Sequence, residues 1–132
     1  MDEDQQHLRL LSISHYVVAG LAGLFSLLPI LHLVIGLGMA SGALETNDEW
    51  ASVLGILFAL VAVVMIVLGL TFAVCLALAG RFLAARRNRT YCLVMAGLAC
   101  MFVPFGTVLG VLTIIVLMRD SVRELFEGAA RA

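Results

Sequence analysis

Three stretches of this chain carry no Asp, Glu, Lys or Arg: Leu10 to Leu44, Ala51 to Gly80 and Thr90 to Met118. Each is longer than the roughly 20 apolar residues a helix needs to cross a hydrocarbon core about 30 Å thick. Polar residues gather between and around them, so the pattern alternates long apolar runs with short charged connections. It predicts an all-α polytopic integral membrane protein, with two long transmembrane helices followed by a short helical hairpin, spanning or re-entrant, in a single membrane domain covering residues 1–132.

The elements follow from where each run is interrupted. Helix one is expected over about 8–42, with a bend where Pro29 leaves a carbonyl one turn earlier without its partner. Its entry carries Ser14, His15 and Tyr16, with the tyrosine in an aromatic belt and His15 near enough to the interface to meet water. An acidic loop at 43–50, Glu45-Thr46-Asn47-Asp48-Glu49 closed by Trp50, leads into helix two over about 51–83. A basic connector at 84–90 follows. The third run is too long for one ordinary crossing and is broken by Val103-Pro104-Phe105-Gly106-Thr107. Proline ends a helix at the residue before it, Gly106 gives a reversal its backbone freedom, and Thr107 can cap a new helix. A hairpin with arms of about 91–103 and 107–119 is predicted, turning on Pro104, Gly106 and Thr107. The tail at 120–132 opens on a possible capping box, Ser121 with Glu124, and sets Val122, Leu125 and Phe126 on one helical face, with residues from Gly128 frayed.

The arginines decide between a hairpin and one kinked crossing. With a hairpin, the N-terminal segment, the basic connector and the tail share one side, which holds every arginine, and the acidic loop faces the other side with none. A single crossing would export Arg119, Arg123 and Arg131. The hairpin is favoured, giving a multi-pass cell-membrane protein with the N-terminus and C-terminus both cytoplasmic.

Composition agrees with the pattern: 63% of the 132 residues are hydrophobic and 13% charged, with a mean hydropathy of +1.12. The formal net charge of −1 and the absence of lysine give no case for nucleic acid. The acidic start Asp2-Glu3-Asp4 and the length of the first run argue against a cleaved signal peptide. Cys75, Cys92 and Cys100 all lie in apolar runs, which suits packing residues better than a disulfide framework.

Few residues offer chemistry. On helix two, Ser52, Gly55, Ala59, Ala62, Gly69, Ala73 and Gly80 recur at three- and four-residue steps, interrupted by Ile66 and Leu76, and form a helix-packing face. Helices in lipid associate through close backbone approach, so such a stripe marks a contact, within one bundle or between subunits. Gly38 and Gly42, Cys92, Ala96 and Cys100, and Gly106 and Gly110 offer facing partners. His32 is the one intramembrane polar candidate in the outer half of helix one; a neutral imidazole bonded to a carbonyl or serine accounts for it without a function. His15 and His32 lie about 25 Å apart along one helix and cannot share a haem within a chain. No Asp, Glu or Arg lies inside the runs, which removes the usual elements of a proton-coupled transporter. Ser26, Thr71 and Thr113 are isolated and are expected to bond back to their own helices rather than serve as nucleophiles. Neither a catalytic residue, a cofactor nor a metal is expected, and the protein reads as no enzyme. Arg86, Arg87 and Arg89 fix topology and can contact anionic headgroups.

The chain resembles small, uncharacterised bacterial four-helix integral membrane proteins. The likeness rests on His7-Leu8-Arg9-Leu10-Leu11-Ser12-Ile13 with His15-Tyr16-Val17-Val18-Ala19-Gly20, on Ala79-Gly80-Arg81-Phe82-Leu83, and on the hairpin element Pro104-Phe105-Gly106-Thr107-Val108-Leu109-Gly110. It covers most of the chain and brings no activity with it. The double-cysteine loop of a tetraspanin and the paired extracellular cysteines of a claudin are missing. The expected function is therefore non-catalytic: helix packing as a homo-oligomer or as an accessory subunit of a larger membrane complex, with the lipid bilayer as the common partner. The alternative is an oligomeric pore or channel lined by the short hairpin, with Thr107, Thr113 and His32 as its few polar positions.

Overall fold

The computed structural model describes residues 2–44 and 48–131. Glu45, Thr46 and Asn47 of the acidic loop lie outside the described residues. Six helices follow in order: α1 (Asp2–Phe25), α2 (Pro29–Ala40), α3 (Glu49–Ala84), α4 (Arg89–Ala99), α5 (Phe105–Leu117) and α6 (Asp120–Arg131). The fold is all-α, with two long apolar stretches and a short helical hairpin. Glu3–Ala40, 38 residues across α1 and α2, and Glu49–Ala84, 36 residues, are long and apolar enough to cross a membrane. Each extends roughly 55 Å at about 1.5 Å per residue, well beyond a hydrocarbon core of about 30 Å, so each must tilt or project past it.

The boundaries differ from expectation where contacts outweigh local pattern. Helix one starts at Asp2 rather than near residue 8, and it is broken rather than only bent. Pro29 has no N–H to give, so the amides of Leu27 and Leu28 take the tighter i−3 carbonyls of Leu24 and Phe25, both at 3.1 Å, and Pro29 opens α2 as its first residue. α4 ends at Ala99, four residues before Val103, because Cys100, Met101 and Phe102 form the turn, with Met101 and Phe102 bonding three residues back. Thr107 lies inside α5 and is not its cap: its hydroxyl donates across the turn to the Cys100 carbonyl at 2.8 Å. α6 begins one residue before Ser121, which makes no side-chain hydrogen bond among the described residues, so the capping box is not formed. The helix also continues past Gly128 to Arg131, where fraying was expected.

The chain divides into two compact units, Met1–Gly20 with Ala73–Ala132, and Leu21–Phe72. In the first, Leu8, Leu11, Leu83, Cys92, Leu109, Leu117, Val122 and Phe126 form a buried cluster. The opening turns of α1 thus contribute Leu8 and Leu11 to a buried cluster shared with α3, α4, α5 and α6. Asp4 adds an ion pair to Arg119 at 3.6 Å. Arg89 donates through Nε and Nη2 to the Leu117 carbonyl, at 3.0 and 2.6 Å, and so satisfies an acceptor at the C-terminal end of α5. The hairpin arms are 11 and 13 residues, about 16 and 20 Å long, both shorter than the hydrocarbon core. They meet through Gly106 and Gly110: a Cβ at Gly106 would collide with the Ala99 carbonyl and Phe102, and one at Gly110 with the Ala96 carbonyl and Cys100. Gly106 serves close approach, therefore, and not a reversed backbone. α6 leaves α5 at 76°, with Val122 and Phe126 buried and Arg123, Glu124 and Glu127 exposed.

In the second unit, the segment after α1 and then α2 lie along α3. A Cβ at Gly69 would come within 2.5 Å of the Ser26 side chain. Further along, Gly36 faces Gly55 and Ala59 so closely that a Cβ on Gly36 would lie 2.7 Å from the Ala59 amide nitrogen and 2.8 Å from the Gly55 carbonyl. The glycine that meets the α3 stripe in α2 is Gly36, where Gly38 and Gly42 were expected; Gly38 faces Leu44, and a Cβ on Gly42 would meet open space.

Candidate functional site

Residues Ser12, His15, Ala19, Ala22, Ser26, Pro29 and Gly36 are buried at three-, four- and seven-residue steps along α1 and α2. This is a second small-residue stripe, complementary in kind to that of α3, and the sequence reading did not single it out. The signal was present as spacing, but polar Ser12, His15 and Ser26 obscured it. On α3, Gly55, Ala59, Ala62, Ala73 and Gly80 are buried, and Ser52 and Gly69 are half-buried; Leu76, at 0% exposure, belongs to the same face rather than interrupting it. Several of its positions meet other parts of the same chain. Ser52 donates to the Ala40 carbonyl at 3.4 Å, and a Cβ at Gly80 would meet His15 and the Ser12 carbonyl at 3.1 Å.

Of the histidines, the buried one is His15. It is 0% exposed, where the sequence placed it in reach of water. Its neighbour Ser12 donates to the Gly80 carbonyl at 2.7 Å, joining α1 to α3 beside it. His15 Nδ1 bonds the Leu11 carbonyl at 2.9 Å, one turn back; that nitrogen must carry the proton to donate, which leaves Nε2 as an acceptor. Nε2 has no partner. An unpaired buried acceptor costs about 1–3 kcal/mol, and among the described residues this imidazole carries the one buried side-chain nitrogen or oxygen left without a partner. His32, by contrast, is exposed and stacks at 5.3 Å and 45° on Phe58. It makes no hydrogen bond among the described residues, so the carbonyl or serine expected to hold it is absent. It borders a small cleft of about 270 Å³ whose other walls, among them Phe25, Leu28 and Met65, are apolar.

Three of the remaining hydroxyls are held locally. Ser26 donates to Gly23, Thr71 to Val67 and Thr113 to Leu109, at 2.6, 2.7 and 2.7 Å, each within its own stretch of chain as the sequence predicted. Tyr91 reaches the Cys75 carbonyl at 3.3 Å and sets its ring edge-on to Phe82. Cys92 is buried and Cys75 and Cys100 half-buried, all three unpaired. Among the described residues no three of His, Cys, Asp or Glu gather as a metal site requires.

The arginines of the connector line an open groove of about 440 Å³. The loop between α3 and α4 turns through two left-handed residues, Arg86 and Asn88, both at φ 51°, which places Arg86, Arg87 and Arg89 along one side. α6 supplies the other side through Arg123, Phe126 and Glu127. Arg123 bonds Glu127 at 3.0 Å, and Arg89 is engaged with Leu117 as described. The side chains of Arg86 and Arg87 have no hydrogen-bond or ion-pair partner among the described residues.

No protein family, curated protein or solved structure matches the chain.

Proposed function

We propose that this chain is a small, non-catalytic integral membrane protein that acts through helix packing, as a homo-oligomer or as an accessory subunit of a larger membrane complex. One observation carries the reading. In the most apolar 18 residues of each long helix, only 22% and 17% are buried within the chain, so Val53, Leu57, Leu60, Val64 and Leu68 of α3 and Leu24, Leu31 and Val34 of α1 and α2 face outward. In water that surface would cost about 25 cal/mol per Å², and patches far smaller already mark a membrane or protein contact. Lipid, a second copy or another membrane protein covers it.

The two termini belong on the cytoplasmic side of the cell membrane. All eight arginines fall in the unit formed by Met1–Gly20 and Ala73–Ala132, whereas Leu21–Phe72 contains acids and no arginine. Trp50, 74% exposed at the start of α3, suits the opposite interface. Because the α3 stripe is covered by α1 and α2, a partner would meet the leucine and valine faces instead.

The pore reading has less support. Thr113 is fully buried and Thr107 and Thr113 both donate to backbone carbonyls, so the hairpin offers a lumen few free hydroxyls. Photobleaching step counts of the labelled protein in dilute liposomes test the proposal. Two or more steps, or a co-purifying membrane partner, are expected. Single steps without a partner would contradict it, and ion flux altered by Thr107→Leu would favour the pore.

A further inference from the structure

We infer that the groove between the α3–α4 connector and α6 is a binding site for the headgroup phosphate of an anionic phospholipid. Four guanidinium groups, Arg86, Arg87, Arg89 and Arg123, border it against a single carboxylate, Glu127. Glu127 is already bonded to Arg123 and Arg89 to Leu117, which leaves Arg86 and Arg87 as cations without an ion-pair partner among the described residues. Guanidinium forks match phosphate oxygens two at a time, and a chain whose basic residues are all arginine is suited to that geometry. The start of α4 adds to the same field: Asn88 makes no side-chain cap, so the first-turn amides of α4 point toward the connector unpaired by a side chain.

Three features favour a lipid over a soluble anion, and this step rests on the membrane reading above. The groove lies where α3 leaves its apolar run and α4 begins its own, at the depth where headgroups lie. α6 turns 76° from α5, as a helix lying along an interface does. Beyond the groove, α4 exposes Val94 and Leu98 and α5 exposes Ile115, apolar surface for acyl chains attached to the bound phosphate.

The test uses the full chain in nanodiscs of equimolar phosphatidylcholine and phosphatidylglycerol, with retained lipid identified by native mass spectrometry after release. The intact protein is expected to retain phosphatidylglycerol preferentially, and Arg86→Gln with Arg87→Gln to lower that preference about fivefold per arginine removed. Arg123→Gln should act in the same direction. Arg9→Gln and Arg131→Gln, equal changes of charge outside the groove, should leave the preference in place. A uniform loss across all these variants would overturn the site in favour of bulk surface charge. Displacement of the lipid by millimolar inorganic phosphate would overturn the lipid assignment. Should a variant elute as aggregate, Arg86→Lys with Arg87→Lys keeps the charge without the fork, and undiminished preference there would contradict fork recognition. Failure of the intact protein to enter nanodiscs of phosphatidylcholine alone would instead count against the membrane reading.

Discussion

Gly36 and Gly20 are the same residue in opposite surroundings. A Cβ on Gly36 would enter the space of the Ala59 nitrogen and the Gly55 carbonyl, backbone atoms that cannot step aside, whereas Gly20 has nothing within 4 Å. Gly36→Ala should therefore destabilise the protein by about 1–3 kcal/mol, as overpacking does, while Gly20→Ala should be neutral or stabilise by up to about 1 kcal/mol through helix propensity. Unfolding of both variants in detergent separates them, and equal effects would refute the close contact. His15 makes the converse case. Leu11 keeps its helical partner without the imidazole, so His15→Leu removes an unpaired acceptor at little loss of volume. Stability should stay within about 1 kcal/mol or rise. A drop beyond about 3 kcal/mol would mean that Nε2 holds a partner in the membrane, such as an ordered water.

At the scale of elements, the sequence placed α3 within two residues at each end, 51–83 against Glu49–Ala84, because charges stand directly beyond its apolar run. The hairpin was equally legible, since Pro104 leaves no continuous helix. What escaped were features decided by distant residues. The first turns of α1 hold because Leu8 and Leu11 join Leu83, Leu117 and Phe126 in one buried cluster, an association no local periodicity contains. Gly36 replaced Gly38 as the close contact because the break before Pro29 sets the rotation of α2, and the buried role of His15 follows from a stripe made of polar as well as small residues. The hairpin gives a prediction of its own. Gly110→Ala would push a methyl into the Ala96 carbonyl and Cys100, so α4 and α5 should separate. Amide hydrogen exchange should quicken in α4 and α5 and stay unchanged in α2, which belongs to the other compact unit. Unchanged protection in α4 would contradict the packing described.

For the whole molecule, the account rests on the distribution of charge along an otherwise apolar chain: acids at Asp48 and Glu49, arginines in the connector and tail, and two helices long enough to carry the chain across and back. In the proposed topology a short hairpin then returns to the side it left, whether it spans or dips. Because α6 is anchored by Val122 and Phe126 and α1 by Leu8 and Leu11 in one buried cluster, the two ends of the chain are held together. The most direct test is compartment-specific cysteine labelling in intact cells, on a background with Cys75, Cys92 and Cys100 replaced by alanine. An impermeant maleimide should label Asp48→Cys from outside, and should reach Glu3→Cys and Arg131→Cys only after the membrane is opened. Labelling of Glu3→Cys and Arg131→Cys from opposite sides, or of all three from the same side, would contradict the topology on which the proposed function stands.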